Sequence, residues 1–125
     1  MRAITLPSVL ENKGHYVPGM ISGDKLYVSG QLPVHHETGA PMADTIEQQT
    51  RDALHNVERV LLAAGCTKED VVLCRVYIPD VAAWDTVNAT YAAFFGNHKP
   101  ARVIVPTREL HNGARIEIEA IAEVR

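Results

Sequence analysis

The sequence predicts an α+β domain in which a mixed β-sheet carries two helices packed on one face. Three observations lead to this prediction: two segments with helical periodicity, several short strand-like runs bounded by turn residues, and one strand that is apolar on both sides. The 125 residues, 46% of them apolar and 22% charged, fit a single globular domain over residues 1–125.

The N-terminal third reads as three short strands separated by structure-breaking residues. Gly14 and Pro18 interrupt the chain around Tyr16, so this part is expected to be a loop. Further on, a tract with the Gly and Asp of a hairpin turn separates two strand-like runs. The predicted elements are strands at 2–5, 20–21 and 26–29, a hairpin turn at 22–25 and a loop at 30–41.

Two amphipathic helices are predicted, each with one apolar stripe. The first covers residues 45–64, and the second covers residues 81–95. Asp44 is expected to cap the first helix, with Glu47 reaching back to complete a capping box. The remaining predicted boundaries are Gly65 after the first helix, Asp80 before the second and Gly96 after it.

Three more strands, at 71–78, 102–105 and 115–124, complete the order β-β-β-α-β-α-β-β. The first of them is apolar on both sides if its residues alternate regularly. The two alternating sets are Val72, Cys74, Val76 and Ile78 on one face, and Val71, Leu73, Arg75 and Tyr77 on the other. Apolar area in water costs about 25 cal/mol per Å², so the face without helices is expected to be covered in a homo-oligomer.

The stretch 100–119 contains the residues with the clearest chemical potential. Arg102 stands directly before an apolar run, and Glu117 and Glu119 alternate on the last strand. A cation and an acid on neighbouring strands would form a small carboxylate-binding, water-activating site. From spacing alone, a surface arginine at a strand start is the favoured interpretation of Arg102. Glu117 shares its face with Glu119 and Glu123, so a solvated acidic surface is the alternative for it.

Charge and composition argue against several classes of function. The formal net charge of −3 argues against a nucleic-acid partner, which usually needs a basic surface. No Cys or His spacing resembles a metal site, and neither a secretion signal nor a membrane-spanning window is present. A cytoplasmic protein without metal or membrane contact is therefore expected.

Several motifs, taken together and in order, resemble the Rid family of reactive intermediate deaminases, also called the YjgF family. The resemblance covers almost the whole chain, and the long spaced pattern from Pro100 to Ala120 is its most specific part. The matching segments are Tyr27–Pro33, Gln49–Val57, Ala63–Gly65, Val87–Phe95, Pro100–Arg102 and Ile116–Ala120.

The resemblance implies a homotrimer of chorismate-mutase-like subunits, whose sheets form a central barrel with clefts between subunits. It implies hydrolysis of 2-imino and 2-enamino acids, such as 2-iminobutanoate and 2-aminoacrylate, to 2-oxo acids and ammonia, without a cofactor or metal. By the same resemblance, Arg102 holds the substrate carboxylate and Glu117 orients water and transfers protons. The further substrate-binding residues implied are Tyr16, Ser29, Gly30 and Asn88.

Two departures from the family pattern affect the expected activity. His15 stands where the best-characterised deaminase branch has proline, and it adds a titratable group or narrows the pocket. That branch also often has a cysteine shortly after the signature arginine, where this chain has Val103 and Ile104. The alternative function is therefore non-catalytic binding of 2-oxo acids or related carboxylates. An RNA-cleaving role, also reported within the family, is poorly motivated in this acidic chain.

Overall fold

The computed structural model describes residues 1–125 and contains one six-stranded mixed sheet with two α-helices. The strands are β1 (Arg2–Ile4), β2 (Gly19–Ser22), β3 (Lys25–Gln31), β4 (Val71–Ile78), β5 (Ala101–Pro106) and β6 (Glu117–Glu123); the helices are α1 (Ile46–Ala63) and α2 (Trp84–Phe95). The strand order is β1-β2-β3-β6-β4-β5, and only the pair β4–β5 is parallel. The predicted α+β class and element order are confirmed.

Both helices lie on the same face of the sheet and enclose one apolar core. The stripe of α1 that includes Leu54 and Val57 packs with sheet residues such as Leu26 and Ile118, all of them fully buried. The opposite face, which we call the open face, has no helix. Tyr27 on this face is 47% exposed, as expected for a surface that is only partly polar.

The regular alternation predicted for β4 is wrong at its first residues. Val71 is buried and Val72 is 43% exposed, because the pairing with β6 shifts register between Val71 and Leu73. Val72 is the extra residue of a β-bulge and does not share the helix-covered face with Cys74. From Leu73 onward the alternation follows the prediction, so Arg75 and Tyr77 lie on the open face.

The predicted caps of the helices need two corrections. Thr45, rather than Asp44, caps α1: its hydroxyl accepts from the backbone N–H of Gln48 at 3.1 Å. Asp80 caps a short 3₁₀ turn that precedes α2, by accepting from the backbone N–H of Ala82 at 2.9 Å. The predicted ends are confirmed, since Gly65 and Gly96 both have positive φ.

Candidate functional site

Arg102 is held by one stripe of α2. It follows the first residue of β5 and lies beside Cys74 of β4, so its side chain is on the helix-covered face. Its Nη1 donates to Oδ1 of Asn88 at 2.8 Å. Its Cζ lies 4.9 Å from the ring centroid of Tyr91 and 5.6 Å from that of Trp84. We call these four residues, Arg102, Asn88, Trp84 and Tyr91, the arginine cluster.

The arginine cluster orients the guanidinium of Arg102 and leaves most of its N–H donors free. One of its five N–H donors is occupied by Asn88, and the two rings attract the cation without using a donor. Arg102 is half-buried, so its remaining donors are partly shielded from water. Two parallel N–H groups of such a guanidinium can bind a carboxylate with both of its oxygens.

Two members of the arginine cluster escaped the sequence prediction. Trp84 and Tyr91 fit the apolar stripe predicted for residues 81–95, and the spacing 84, 88, 91 also places them in line with Asn88 on one side of a helix. Trp84 is 39% exposed, which is unusual for a core residue of that size. The periodicity of the sequence shows that these side chains share one side of the helix. It does not show that β5 lies beneath them.

Glu117 lies on the open face, at the start of β6. A Cβ on Gly30 would be 2.7 Å from Oε2 of Glu117, so the carboxylate packs directly on the bare backbone of Gly30. Ser29 and Gly30 form a bulge in β3, at the register shift between Val28 and Gln31. We call Glu117, Gly30 and Ser29 the glutamate cluster.

Glu117 is a half-buried carboxylate without a partner in the protomer. It takes part in no hydrogen bond or ion pair within the protomer, whereas Glu119 accepts from Tyr77 at 2.6 Å. Burial raises the pKa of Glu117, and the neighbouring charge of Glu119 adds to this, while His111 acts in the opposite direction. A free carboxyl with a raised pKa is suited to receive and return protons.

Ser29 ties the loop that contains Tyr16 to the glutamate cluster. Its hydroxyl donates to the carbonyl of Val17 at 2.6 Å, and its backbone N–H donates to the carbonyl of Pro18 at 2.9 Å. The Ser29 amide is therefore not free to donate to a ligand. Tyr16 itself is 55% exposed, and His15 is exposed without a polar partner in the protomer.

The structure does not bring Arg102 and Glu117 together within one protomer. The prediction that the two residues lie on neighbouring strands is wrong, because β4 lies between β5 and β6. The two residues also occupy opposite faces of the sheet. Two strand spacings and three residues along the strands separate their Cα atoms by about 14 Å. The two clusters are thus separate from each other in the protomer.

Two surface cavities lie away from both clusters. One of about 300 Å³ is lined by Asp70, His98 and Arg125 among others, and one of about 220 Å³ includes Asp80 and Arg115. Neither is lined by a residue of the two clusters. These two cavities are therefore separate from both clusters.

Three further observations limit the chemistry. No group of three or more His, Cys, Asp or Glu residues is placed to hold a metal ion. Cys74, beside Arg102 on the covered face, is fully buried, and burial raises the pKa of its thiol to about 11, so it stays protonated near neutral pH. No helix is long and apolar enough to cross a membrane.

The fold and the two clusters define a class of small α+β subunits with one open sheet face. The structure of the yjgF gene product from Escherichia coli has this fold, with a TM-score of 0.91, 39% identity and full coverage of both chains. The structure of E. coli TdcF with bound serine has a TM-score of 0.93 at 32% identity, again covering both chains fully.

The sequence comparison identifies the family. A family model described as Endoribonuclease L-PSP matches residues 7–124. The 2-iminobutanoate/2-iminopropanoate deaminase of Salmonella typhimurium is 43% identical over 87% of either chain, and a RutC family protein of Saccharolobus solfataricus is 41% identical over 88% of this chain and 87% of the other. The chain belongs to this family, which confirms the resemblance to the Rid, or YjgF, proteins.

The glutamate cluster makes one substitution informative. The backbone of Gly30 lies outside the left-handed region, so alanine causes no backbone strain there. The Cβ of an alanine at position 30 would displace the Glu117 carboxylate, which is the movable end of the Glu117 side chain. We expect Gly30→Ala to keep its melting temperature while any activity that depends on the position of Glu117 falls roughly tenfold, since small misplacements of a reacting group are costly. Thermal unfolding and steady-state kinetics of the same preparation test this; a large loss of stability would contradict it.

Proposed function

We propose that this protein hydrolyses 2-imino and 2-enamino acids, such as 2-iminobutanoate and 2-aminoacrylate, to 2-oxo acids and ammonia. The observation that carries the proposal is the guanidinium of Arg102, oriented by Asn88 and two rings with donors to spare. The relatives named 2-iminobutanoate/2-iminopropanoate deaminase, at 43% identity, support the choice of substrate.

In this proposal Arg102 binds the substrate carboxylate and Glu117 handles the protons. As the water oxygen bonds to the C=N carbon, Glu117 takes a proton from that water and returns it to the nitrogen. In the second half, Glu117 accepts the hydroxyl proton of the carbinolamine and gives a proton to the amine. The C–N bond then breaks, ammonia leaves and the C=O bond of the 2-oxo acid forms.

The site of this reaction is proposed to lie between subunits of a homotrimer. Arg102 and Glu117 are on opposite faces of one sheet, so one protomer cannot present both to one small ligand. The open face also exposes Tyr27 and Val103, which contact with another subunit would cover. We propose that the arginine cluster of one subunit meets the glutamate cluster of its neighbour, with Tyr16 at the edge of the cleft.

A coupled assay tests the activity directly. Threonine dehydratase generates 2-iminobutanoate from threonine, and semicarbazide traps the imine that escapes hydrolysis. We expect the purified protein to lower the amount of trapped imine and to speed the release of the 2-oxo acid. Release at the same rate as with an equal amount of heat-inactivated protein would reject the proposal.

Non-catalytic carboxylate binding is the second candidate function. The specific observation in its favour is that the arginine cluster is complete within the protomer and does not depend on Glu117. His15, where a proline is usual in the deaminase branch, points to the same alternative. Calorimetry with 2-oxobutanoate separates the two: tight binding together with no imine hydrolysis would support the binding function.

The ribonuclease role in the description of the family model is not part of the proposal. The chain has 12 basic and 15 acidic residues, which gives no electrostatic attraction to a polyanion.

A further inference from the structure

Three side chains on the open face form a network beside Glu117 that the proposed reaction does not use. Tyr77 donates its hydroxyl proton to Oε1 of Glu119 at 2.6 Å, and Nη1 of Arg75 lies 3.4 Å from the same oxygen. Strand pairing sets this arrangement, because β4 places Arg75 opposite Glu119 and Tyr77 opposite Glu117. The network thus lies directly against the glutamate cluster.

The donors of this network keep Glu119 in one place. Its Oε1 accepts a short, charge-assisted hydrogen bond from Tyr77, which is among the stronger kinds, and a longer and weaker one from Arg75. The hydrogen bond to Glu119 is the main cause that raises the pKa of Tyr77, with burial second. Since the shift is upward from an already high value, Tyr77 keeps its proton and remains a donor at neutral pH.

Within the protomer, few other charged groups face Glu117. On its own strand Glu119 is the near neighbour, two residues away on the same face. β4 contributes Tyr77 and Arg75, and the connection between β5 and β6 contributes His111. β3 offers only the uncharged Ser29 and Gly30 at this level, since Tyr27 pairs further along with Ile121. Glu119 is therefore the principal negative charge that acts on Glu117.

We propose that Arg75 and Tyr77 are positioning residues that hold Glu119 as a fixed negative charge beside Glu117, and that this charge makes Glu117 the proton-carrying member of the pair. The inference rests on the proposed function for its catalytic meaning, because in that reaction Glu117 starts as the carboxylate, takes up a proton and later gives one to the leaving amine. Arg75 limits the effect by partly compensating the charge of Glu119. The two residues thus adjust the pH range of the reaction without contacting the substrate.

The test is a titration of Glu117 that does not depend on turnover. Carbon-detected NMR of protein labelled with ¹³C at the Glu side-chain carboxyl follows its ionisation, with Glu117→Gln assigning the signal. We expect Glu119→Gln to lower the titration midpoint by roughly 0.5–1 pH unit, because it removes a negative charge beside Glu117. Arg75→Gln should raise the midpoint, because it removes the positive charge that partly compensates Glu119. Tyr77→Phe should raise it less than Arg75→Gln does.

Glu123→Gln is the matched control. It makes the same chemical change on the same strand and the same side, six residues from Glu117, where solvent and salt screen its charge. The titration midpoint of Glu117 in the Glu123→Gln variant should equal that in the unaltered protein. Unchanged midpoints in both Glu119→Gln and Arg75→Gln, or shifts in the same direction, would overturn the inference.

The acid limb of the kcat/KM profile gives the second readout. It should move with the NMR midpoint, to lower pH in Glu119→Gln and to higher pH in Arg75→Gln. If the unaltered protein hydrolyses no imino acid while the NMR midpoints shift as expected, the proposed function fails and the charge coupling stands. If hydrolysis occurs but the midpoints do not shift, the coupling alone fails.

Discussion

Replacing Arg102 with lysine should lower kcat/KM for 2-iminobutanoate by about 100-fold, and replacing it with alanine should lower it further. Hydrogen bonds between charged groups contribute about 1.5–3 kcal/mol, and 2.7 kcal/mol corresponds to about 100-fold. Lysine keeps the charge but loses the planar pair of donors and the contact with Asn88. The loss of kcat/KM in Arg102→Lys therefore measures the contribution of the guanidinium geometry, because the charge is unchanged.

The measurement is the coupled imine assay, accompanied by calorimetric binding of 2-oxobutanoate. Arg51→Lys is the control, because Arg51 is exposed on α1 and its side chain contacts only Glu47 and Gln48 of the same helix. We expect Arg51→Lys to behave as the unaltered protein. Full activity and full binding in Arg102→Lys would show that the carboxylate is held elsewhere.

Local periodicity explains why most of the fold was predictable. The stripe of α1 and the alternation in β6 are properties of neighbouring residues, so they are visible in the sequence before any tertiary contact is known. The glycines that end both helices act through their own backbone angles, and both were identified. The position of the first cap was missed because Asp44 and Thr45 are adjacent and both are good capping residues.

Pairing between distant strands was not predictable in the same way. Arg102 and Glu117 lie in one motif, which suggested adjacent strands, but β4 inserts between β5 and β6 and the two side chains point to opposite faces. The bulges at Val72 and Ser29–Gly30 arise from register shifts that no local pattern indicates. The same long-range pairing creates the contact of Tyr77 with Glu119, so that network was invisible in the sequence.

Replacing Glu117 with glutamine should lower kcat by about 10²–10⁴-fold with a small change in 2-oxobutanoate affinity, which is the usual range for loss of a general acid–base group. Glutamine preserves the shape that packs on Gly30 but cannot accept or return a proton. Steady-state kinetics and calorimetry on one preparation test both parts, with Glu123→Gln as the charge-matched control. Retained turnover in Glu117→Gln would move the proton-transfer role to another residue.

The two inactive variants together provide a test that neither provides alone. If each site takes Arg102 from one subunit and Glu117 from its neighbour, a mixed oligomer of Arg102→Ala and Glu117→Gln contains sites in which both residues are intact. In an equimolar mixture, random exchange of subunits gives about one quarter such sites, because each of the two contributing subunits is the required variant in half of the cases. Unfolding and refolding the mixture should therefore restore about a quarter of the original activity, whereas either variant refolded alone should stay inactive. If both residues of a site belonged to one subunit, no mixture would regain activity, since every subunit then lacks one of the two. The separation of Arg102 and Glu117 on opposite faces of the sheet favours the first result.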